Sequence, residues 1–407
     1  MTFLKLSLAG IGLAALTLST ASAYAADIHI PADQPTIQAG IDASVNGDMV
    51  ILDSAFYMGA GNRDIDFQGK AITVTSASGN PASCVIDCQS AGRGFYFQSS
   101  EGANSVVRGI TITNGIADSG GGIYVGFYCA PTITHCNLAN NSANYFGGGI
   151  FNDSFASPSI TNCTFIGNGA FYAGGGMFNS GSSPSIINCS FTDNSAIDFG
   201  GGAMYNTYSQ PTITNSILWG NLADDGAEIF NDNSTSIVTY SDVAGGYVGM
   251  GNINADPLFV NAPAGDLRLQ AGSLAIDAGN SSAVSVATDI LGNVRLSGTH
   301  VDMGAVETQN SLVIEQLKLK RAGLNAQVKF VVRNTSTKAA SAAGLTSAML
   351  GGVAANQTMP HALDSIPAGG SVSVTLIFRV SPGTKTLALA GVSSRGSFSF
   401  TQSVNVP

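Results

Sequence analysis

Between Gly109 and Leu267 the chain has no lysine and no arginine. That absence argues against nucleic acid as a partner, since phosphate binding needs clustered basic residues. Charged residues are scarce throughout, at 10% of 407, and there is one tryptophan. After Leu6–Leu18 no apolar run approaches the length of a membrane span. The six cysteines form no Cys-x-x-Cys and no Cys/His grouping, so the sequence offers no zinc site. What the chain does have is glycine, 50 residues of it, and much of that glycine recurs at a fixed interval.

The first residues read as a signal peptide over 1–25. Lys5 precedes the short apolar stretch, and small residues offer cleavage near Ala23–Ala26. A secreted, extracellular or cell-surface location follows. Charge then divides the chain. Residues 26–310 carry 24 acidic against 6 basic side chains, and residues 311–407 carry 2 against 9. Such asymmetry places a boundary near residue 310 and separate surface roles on either side.

Gly120, Gly147, Gly174 and Gly201 are each 27 residues apart. Pro131, Pro158, Pro184 and Pro211 keep the rhythm, as do Cys136, Cys163, Cys189 and Ser216, and Asn141, Asn168, Asn194 and Asn221. A fixed period in this range means a solenoid. The units "PTITHCNL", "PSITNCTF" and "PSIINCSF" are strand-length and rich in β-branched residues, so the solenoid is built of short strands. Ile160 faces in and Thr161 out. Asn162 breaks the alternation and takes the left-handed backbone of a corner, after which Cys163 and Phe165 point inward. Stacked coils would let Asn162, Asn188 and Asn215 pair their amides, with His135 on the first rung. Cys136, Cys163 and Cys189 would form a column of buried thiols, joined through Ile110 by Cys88.

Two motifs carry a family likeness. "IPADQPTIQAGIDASVNGDMVIL" (30–52) resembles the entry segment of secreted bacterial right-handed parallel β-helix proteins of the pectate-lyase-like superfamily. The likeness implies a capping helix in "PTIQAGIDASV" and a first strand in "GDMVIL". "ADPLFVNAPAGDLRLQAGSLAIDAGN" with "TDILGNVRLSGTHVDMGAVE" is similar to the choice-of-anchor module that follows such helices, with Leu274 where its commonest form has proline. The fold class is then all-β: a right-handed parallel β-helix solenoid over 26–250 with an N-terminal capping helix, and a closing module over 251–310. Residues 311–407 alternate over strand lengths, as in "AQVKFVVRN" and "GSVSVTLIFRV", and read as a small immunoglobulin- or fibronectin-like β-sandwich.

The resemblance implies that polysaccharide lyases and hydrolases must be weighed. The lyases use Arg or Lys as base and clamp on the central coils, where this chain has neither. The hydrolases' Gly-His-Gly and Arg-x-Lys motifs are missing. A hydrolase also needs paired carboxylates, and the repeat brings Asp198, Asp224, Asp225 and Glu228 onto adjacent coils. They are candidates for catalysis, for a calcium site at Asp198, Asp224 and Asp225, or for a solvated acidic turn. Rings recur in nearby columns: Tyr145, Tyr172 and Phe199 before the glycines, Tyr124 and Tyr208 after them. Rings at coil spacing could stack on sugars or could fill the fold. Three readings stay open: a non-catalytic secreted or cell-surface protein binding polysaccharide or cell-envelope glycan, a polysaccharide-degrading enzyme, and a structural spacer. The basic sandwich would attach the protein to an anionic wall, envelope or partner.

Overall fold

The computed structural model describes residues 25–270, 272–297, 300–309, 312–334, 340–367, 369–393 and 396–407. The expected signal peptide, but for Ala25, lies outside them. The first part is a parallel solenoid whose coils visit four sheets. Sheet I has nine strands, from Asp27–Ile30 to Ile237–Thr239, and sheet II has eight, from Phe56–Tyr57 to Asp242–Val243. Sheet III has four, from Ile116–Ser119 to Ser195–Ala196, and sheet IV seven, from Ile65–Asp66 to Ile229–Asp232.

Repeat positions become stacked columns. Ile133, Ile160, Ile186 and Ile213 lie in register in sheet I. Leu138, Phe165, Phe191 and Leu218 do so in sheet II, and all eight are fully buried. The rings of Phe165 and Phe191 stack 4.2 Å apart at 4°. Burying each such side chain contributes about 1.5–3 kcal/mol, gained only when the neighbouring coil is present. The repeated glycines sit between sheets III and IV. Gly147 has φ 66, and a Cβ there would lie 2.4 Å from the carbonyl oxygen of Ile150. A side chain at Gly148 would meet the Gly169 carbonyl at 2.3 Å, so this bend takes only glycine.

The entry helix is present as Ile37–Ala43, with Thr36 accepting from the Ala39 amide as N-cap. Ile37 and Ile41 are fully buried over the first coil. The first strand is not "GDMVIL". Asp27–Ile30 precedes the helix and pairs in parallel with Met49–Leu52, because the helix lies between two strands of one sheet.

The corner residues have the expected left-handed backbone, with φ 54, 52, 53 and 52 at His135, Asn162, Asn188 and Asn215. Asn162 Nδ2 lies 3.2 Å from His135 Nε2 on the rung before it, but the amides of Asn162, Asn188 and Asn215 do not pair with one another. Asn215 exchanges two hydrogen bonds with the backbone of Asn280. Asn162 donates to Thr288 O at 2.6 Å, and His135 Nε2 lies 3.1 Å from the same oxygen. Asn188 is buried between them with neither amide atom hydrogen-bonded. Residues 280–297 and 300–305 therefore run back along the side of the solenoid, and Ala305 N donates to Ser190 Oγ. For the same reason Thr161, expected to face out, is buried.

The amide ladders stand in two other columns. In one, Asn141 donates to Asn168, Asn168 to Asn194 and Asn194 to Asn221, at 3.0, 2.9 and 2.8 Å. In the other, Asn152, Asn179, Asn206 and Asn231 are linked at 2.8, 2.7 and 2.9 Å. These asparagines point into the coil, where a neighbour one rung away supplies the partner a buried amide needs.

All six cysteines are free and buried. Cys136, Cys163 and Cys189 do share a column, each thiol lying 3.3–3.4 Å from the carbonyl two residues back. Ser216 continues the column with the same bond. The cysteine joined through Ile110 is Cys84, not Cys88. Val85 pairs with Thr111 and Thr111 with Asn137, which puts Cys84 and Ile110 one position earlier in line with Cys136.

The second part folds as antiparallel sheets. Leu312–Ala322, Asn325–Asn334 and Ser371–Phe378 make three strands. Ala340–Leu350, Val353–Ala354, His361–Ile366, Gly383–Ser393 and Gly396–Val406 make five. Ala326, Val328, Phe330 and Val332 alternate inward and pack with Leu345, Leu376 and Leu387 in one core, as a β-sandwich requires.

Candidate functional site

The acidic group was placed by register, and the register holds. Met204 pairs with Ile229, so Ala203 stands over Glu228, and Gly201 N donates to Asp225 O. The side chains nevertheless separate. Asp198, Asp224 and Asp225 are exposed, whereas Glu228 is buried inside the coil. Glu228 accepts from Asn221 Nδ2 at 2.5 Å and closes the first amide ladder. Burial pushes its carboxyl up to about 7, against the opposing effect of the Asn221 hydrogen bonds. The expected group of four is thus three surface aspartates and one interior acid. Among the described residues no three His, Cys, Asp or Glu side chains are grouped to hold a metal, the expected calcium site included.

The segment after the last coil decides which faces stay open. The hairpin of Phe259–Asn261 and Asp266–Leu269 packs with Ile166, Ile290 and Val306 against sheet II. Ile217 and Trp219 pack with Leu269, Ala275 and Met303. Sheet II and its corner with sheet I are therefore covered. This segment holds its own buried charge centre. Arg295, 1% exposed, donates to the carbonyls of Asp302 and Gly304 at 2.8 Å and lies 3.8 Å from Glu307. Asp289 accepts from the amides of Leu291, Asn293 and Glu307. Burial raises Glu307 to about 8, with the Asp302 charge adding to it. The sequence marks this motif as a closing module, but its buried charges become visible only once Arg295, Asp302 and Glu307 are brought together.

The rings gather on the open side, in three columns. Across sheet IV, Tyr124, Phe151, Phe178, Tyr205 and Phe230 stack at 5.0–5.6 Å with interplanar angles of 4–21°. Tyr96 meets the end of this ladder edge-on, and Arg93 lies over Tyr96 and Tyr124 at 4.7 and 5.2 Å. Tyr124 also donates to Asp153 Oδ2 at 2.9 Å. On sheet III, Tyr145 and Tyr172 stack at 5.6 Å and 11°, and Phe199 follows tilted by 51°. Phe146 meets Phe178 at 4.5 Å, so the outer faces of sheets III and IV incline toward each other. Rings stacked in this way spend their faces on one another. A ligand above them meets edges and hydroxyls, which suits a stabilising ladder better than sugar stacking.

The third column differs. Tyr128, Phe155, Gly181 and Tyr208 stand at the corner leading from sheet IV to sheet I, all with left-handed backbone, at φ 58, 59, 55 and 50. A bulky residue at positive φ is rare, and each costs roughly 1–2 kcal/mol relative to glycine. Yet Tyr128, Phe155 and Tyr208 are 59%, 60% and 73% exposed. Phe127 joins Tyr128 and Phe155 in one cluster with centroids 4.2–5.6 Å apart. Below Phe155 the corner residue is glycine, and a Cβ there would find nothing closer than 3.6 Å. Phe155 and Tyr208 are thus two coils apart, about 9.6 Å, with an empty rung between. The sequence places Phe127, Tyr128, Phe155 and Tyr208 after the glycine sets at coil spacing, but does not separate this corner from the Tyr124 and Tyr205 column. The corner's signal was available, because Tyr128, Phe155, Gly181 and Tyr208 each lie three residues before a repeat proline.

Residues 48–218 match the family model described as the right handed beta helix region. Among solved structures the chain is similar to the Dettilon tailspike protein at 9% sequence identity. That match covers 87% of this chain and 94% of the other, with a TM-score of 0.21. No curated protein matches. Parallel register, stacked columns and the family model together give the first part of the chain a right-handed parallel β-helix fold.

Proposed function

We propose that the protein is a non-catalytic, exported β-helix that binds a neutral glycan through the corner column of Phe127, Tyr128, Phe155 and Tyr208. The observation that carries this reading is the exposure of large rings on strained backbone. Asparagine or glycine would fit these corners at lower cost, as they do at Gly181 and Asn233. Strain kept at an exposed position points to use rather than to folding. The empty rung between Phe155 and Tyr208 leaves ring faces free for the flat face of a pyranose. The glycan is neutral because the surrounding coils carry acids and no cation from Gly109 to Leu267. Catalysis gains no support, since Glu228 is enclosed and the three aspartates stand in solvent.

The test is a glycan array probed with the full chain and with the Phe155→Asn/Tyr208→Asn variant, alongside an assay for new reducing ends. Retention on neutral glycans should fall at least about tenfold in the variant, for the loss of two stacking contacts. Equal retention, or none by either protein, would overturn the reading. Release of reducing ends would replace it with an enzyme.

A further inference from the structure

The outer face of the three-stranded sheet has a charge arrangement that folding does not require. Because Ala326, Val328, Phe330 and Val332 point inward, Gln327, Lys329, Val331 and Arg333 point out. Lys318 stands directly opposite Lys329, and Lys320 opposite Gln327. On the other side Thr375 faces Lys329, Ser373 faces Val331 and Ser371 faces Arg333. Arg379 follows at the same parity, one residue beyond its strand. Lys318, Lys320, Lys329, Arg333 and Arg379 are all exposed, and they are five of the nine basic residues after Asn310. Glu315 is the acid at this face and pairs with Arg333 at 3.8 Å. Among the described residues the other four cations have no ion-pair partner.

Like charges directly opposite across two strands destabilise a sheet. Lys318 and Lys329 are such a pair, and an anion lying across them would relieve the repulsion. We propose that this face binds a linear anionic polysaccharide, its carboxylates or phosphates on the lysines and its hydroxyls on the Ser371, Ser373 and Thr375 row. The face suits a polymer better than a membrane. It is a face of hydroxyls and cations with Val331 and Ile377 among them, and no aromatic or leucine side chain at its centre to enter a bilayer. The proposal is independent of the aromatic corner, which lies on acidic coils and takes a different ligand.

The experiment measures binding of the full chain to immobilised polygalacturonate across a salt titration, with dextran as the neutral polymer. Lys318→Gln/Lys329→Gln should weaken binding about tenfold at low salt and make it less salt-dependent. Lys385→Gln, on the five-stranded sheet, should leave it unchanged. Circular dichroism of each variant confirms folding. Unchanged binding by the double variant would overturn the proposal. So would binding to phosphatidylserine vesicles but not to polygalacturonate. Salt-sensitive self-association in sedimentation, lost in the double variant without polymer binding, would assign the face to the acidic coils of a second copy instead. Loss of neutral-glycan binding in the corner variant with polygalacturonate binding intact separates the two functional readings.

Discussion

Asn221 donates through Nδ2 to Oε2 of Glu228 at 2.5 Å, ending an amide chain that begins at Asn141. On every earlier rung the acceptor is the amide oxygen of the next asparagine. On the last, where the repeat stops supplying asparagine, a carboxylate takes its place.

Glu228 should therefore set part of the pH dependence of stability. Its folded pKa, raised by burial to about 7, lies above the ordinary 4.5. The folded state holds that proton more tightly, so the contribution is full below about pH 4.5 and is lost as pH rises through about 7. Glu228→Gln keeps one of the two acceptor oxygens, the one facing Asn221 Nδ2, and removes the charge. Urea unfolding of the variant should show a shallower loss of stability over this window, and higher stability than wild type at pH 8. A variant less stable at pH 8 would mean that the carboxylate is needed ionised.

Arg295 should be among the costliest residues to lose. Arg295→Met leaves Glu307 buried without its cation and frees the carbonyls of Asp302 and Gly304. A loss of about 3–5 kcal/mol is expected, read as a lower thermal midpoint with early proteolysis within residues 256–307. Arg295→Met/Glu307→Gln should recover part of it. Equal loss in both variants would place the effect in packing rather than charge.

The thiol column should be silent in the folded protein. With all six cysteines buried, an aromatic disulfide reagent should titrate none of them until denaturant is added. Cys189→Ser should cost less than about 2 kcal/mol, because Ser216 already makes the equivalent bond to the carbonyl two residues back. Fast labelling of the native protein would show that the coils open.

Tyr208→Asn should stabilise the protein. Asparagine accepts the left-handed corner, as Asn233 does on the next coil, and the tyrosine ring is 73% exposed with little burial to forfeit. A gain of up to about 1 kcal/mol is expected, together with weaker glycan retention. Destabilisation would mean that the ring serves the fold.

Much of this architecture was legible because a solenoid repeats its contacts as it repeats its residues. The interval of 27 placed Ile160 over Ile133, and alignment of the repeat, two residues shorter in its last coil, placed Glu228 under Ala203 without any tertiary information. Composition called for strands, and the corner asparagines were correctly given left-handed backbone. What a column does depends on what it meets, and that was not local. Asn162 and Asn168 are the same residue type in the same repeat. Asn168 points inward and donates to Asn194 on the next rung; Asn162 donates to Thr288 O, 126 positions away, and its Oδ1 stays unbonded. Glu228 and Asp225 are three residues apart in sequence, yet the turn between them buries one and exposes the other. Periodicity decided which residues stack. Only the path of residues 256–270, 272–297 and 300–307 along the side of the coils decided which faces were sealed, and left the aromatic corner open.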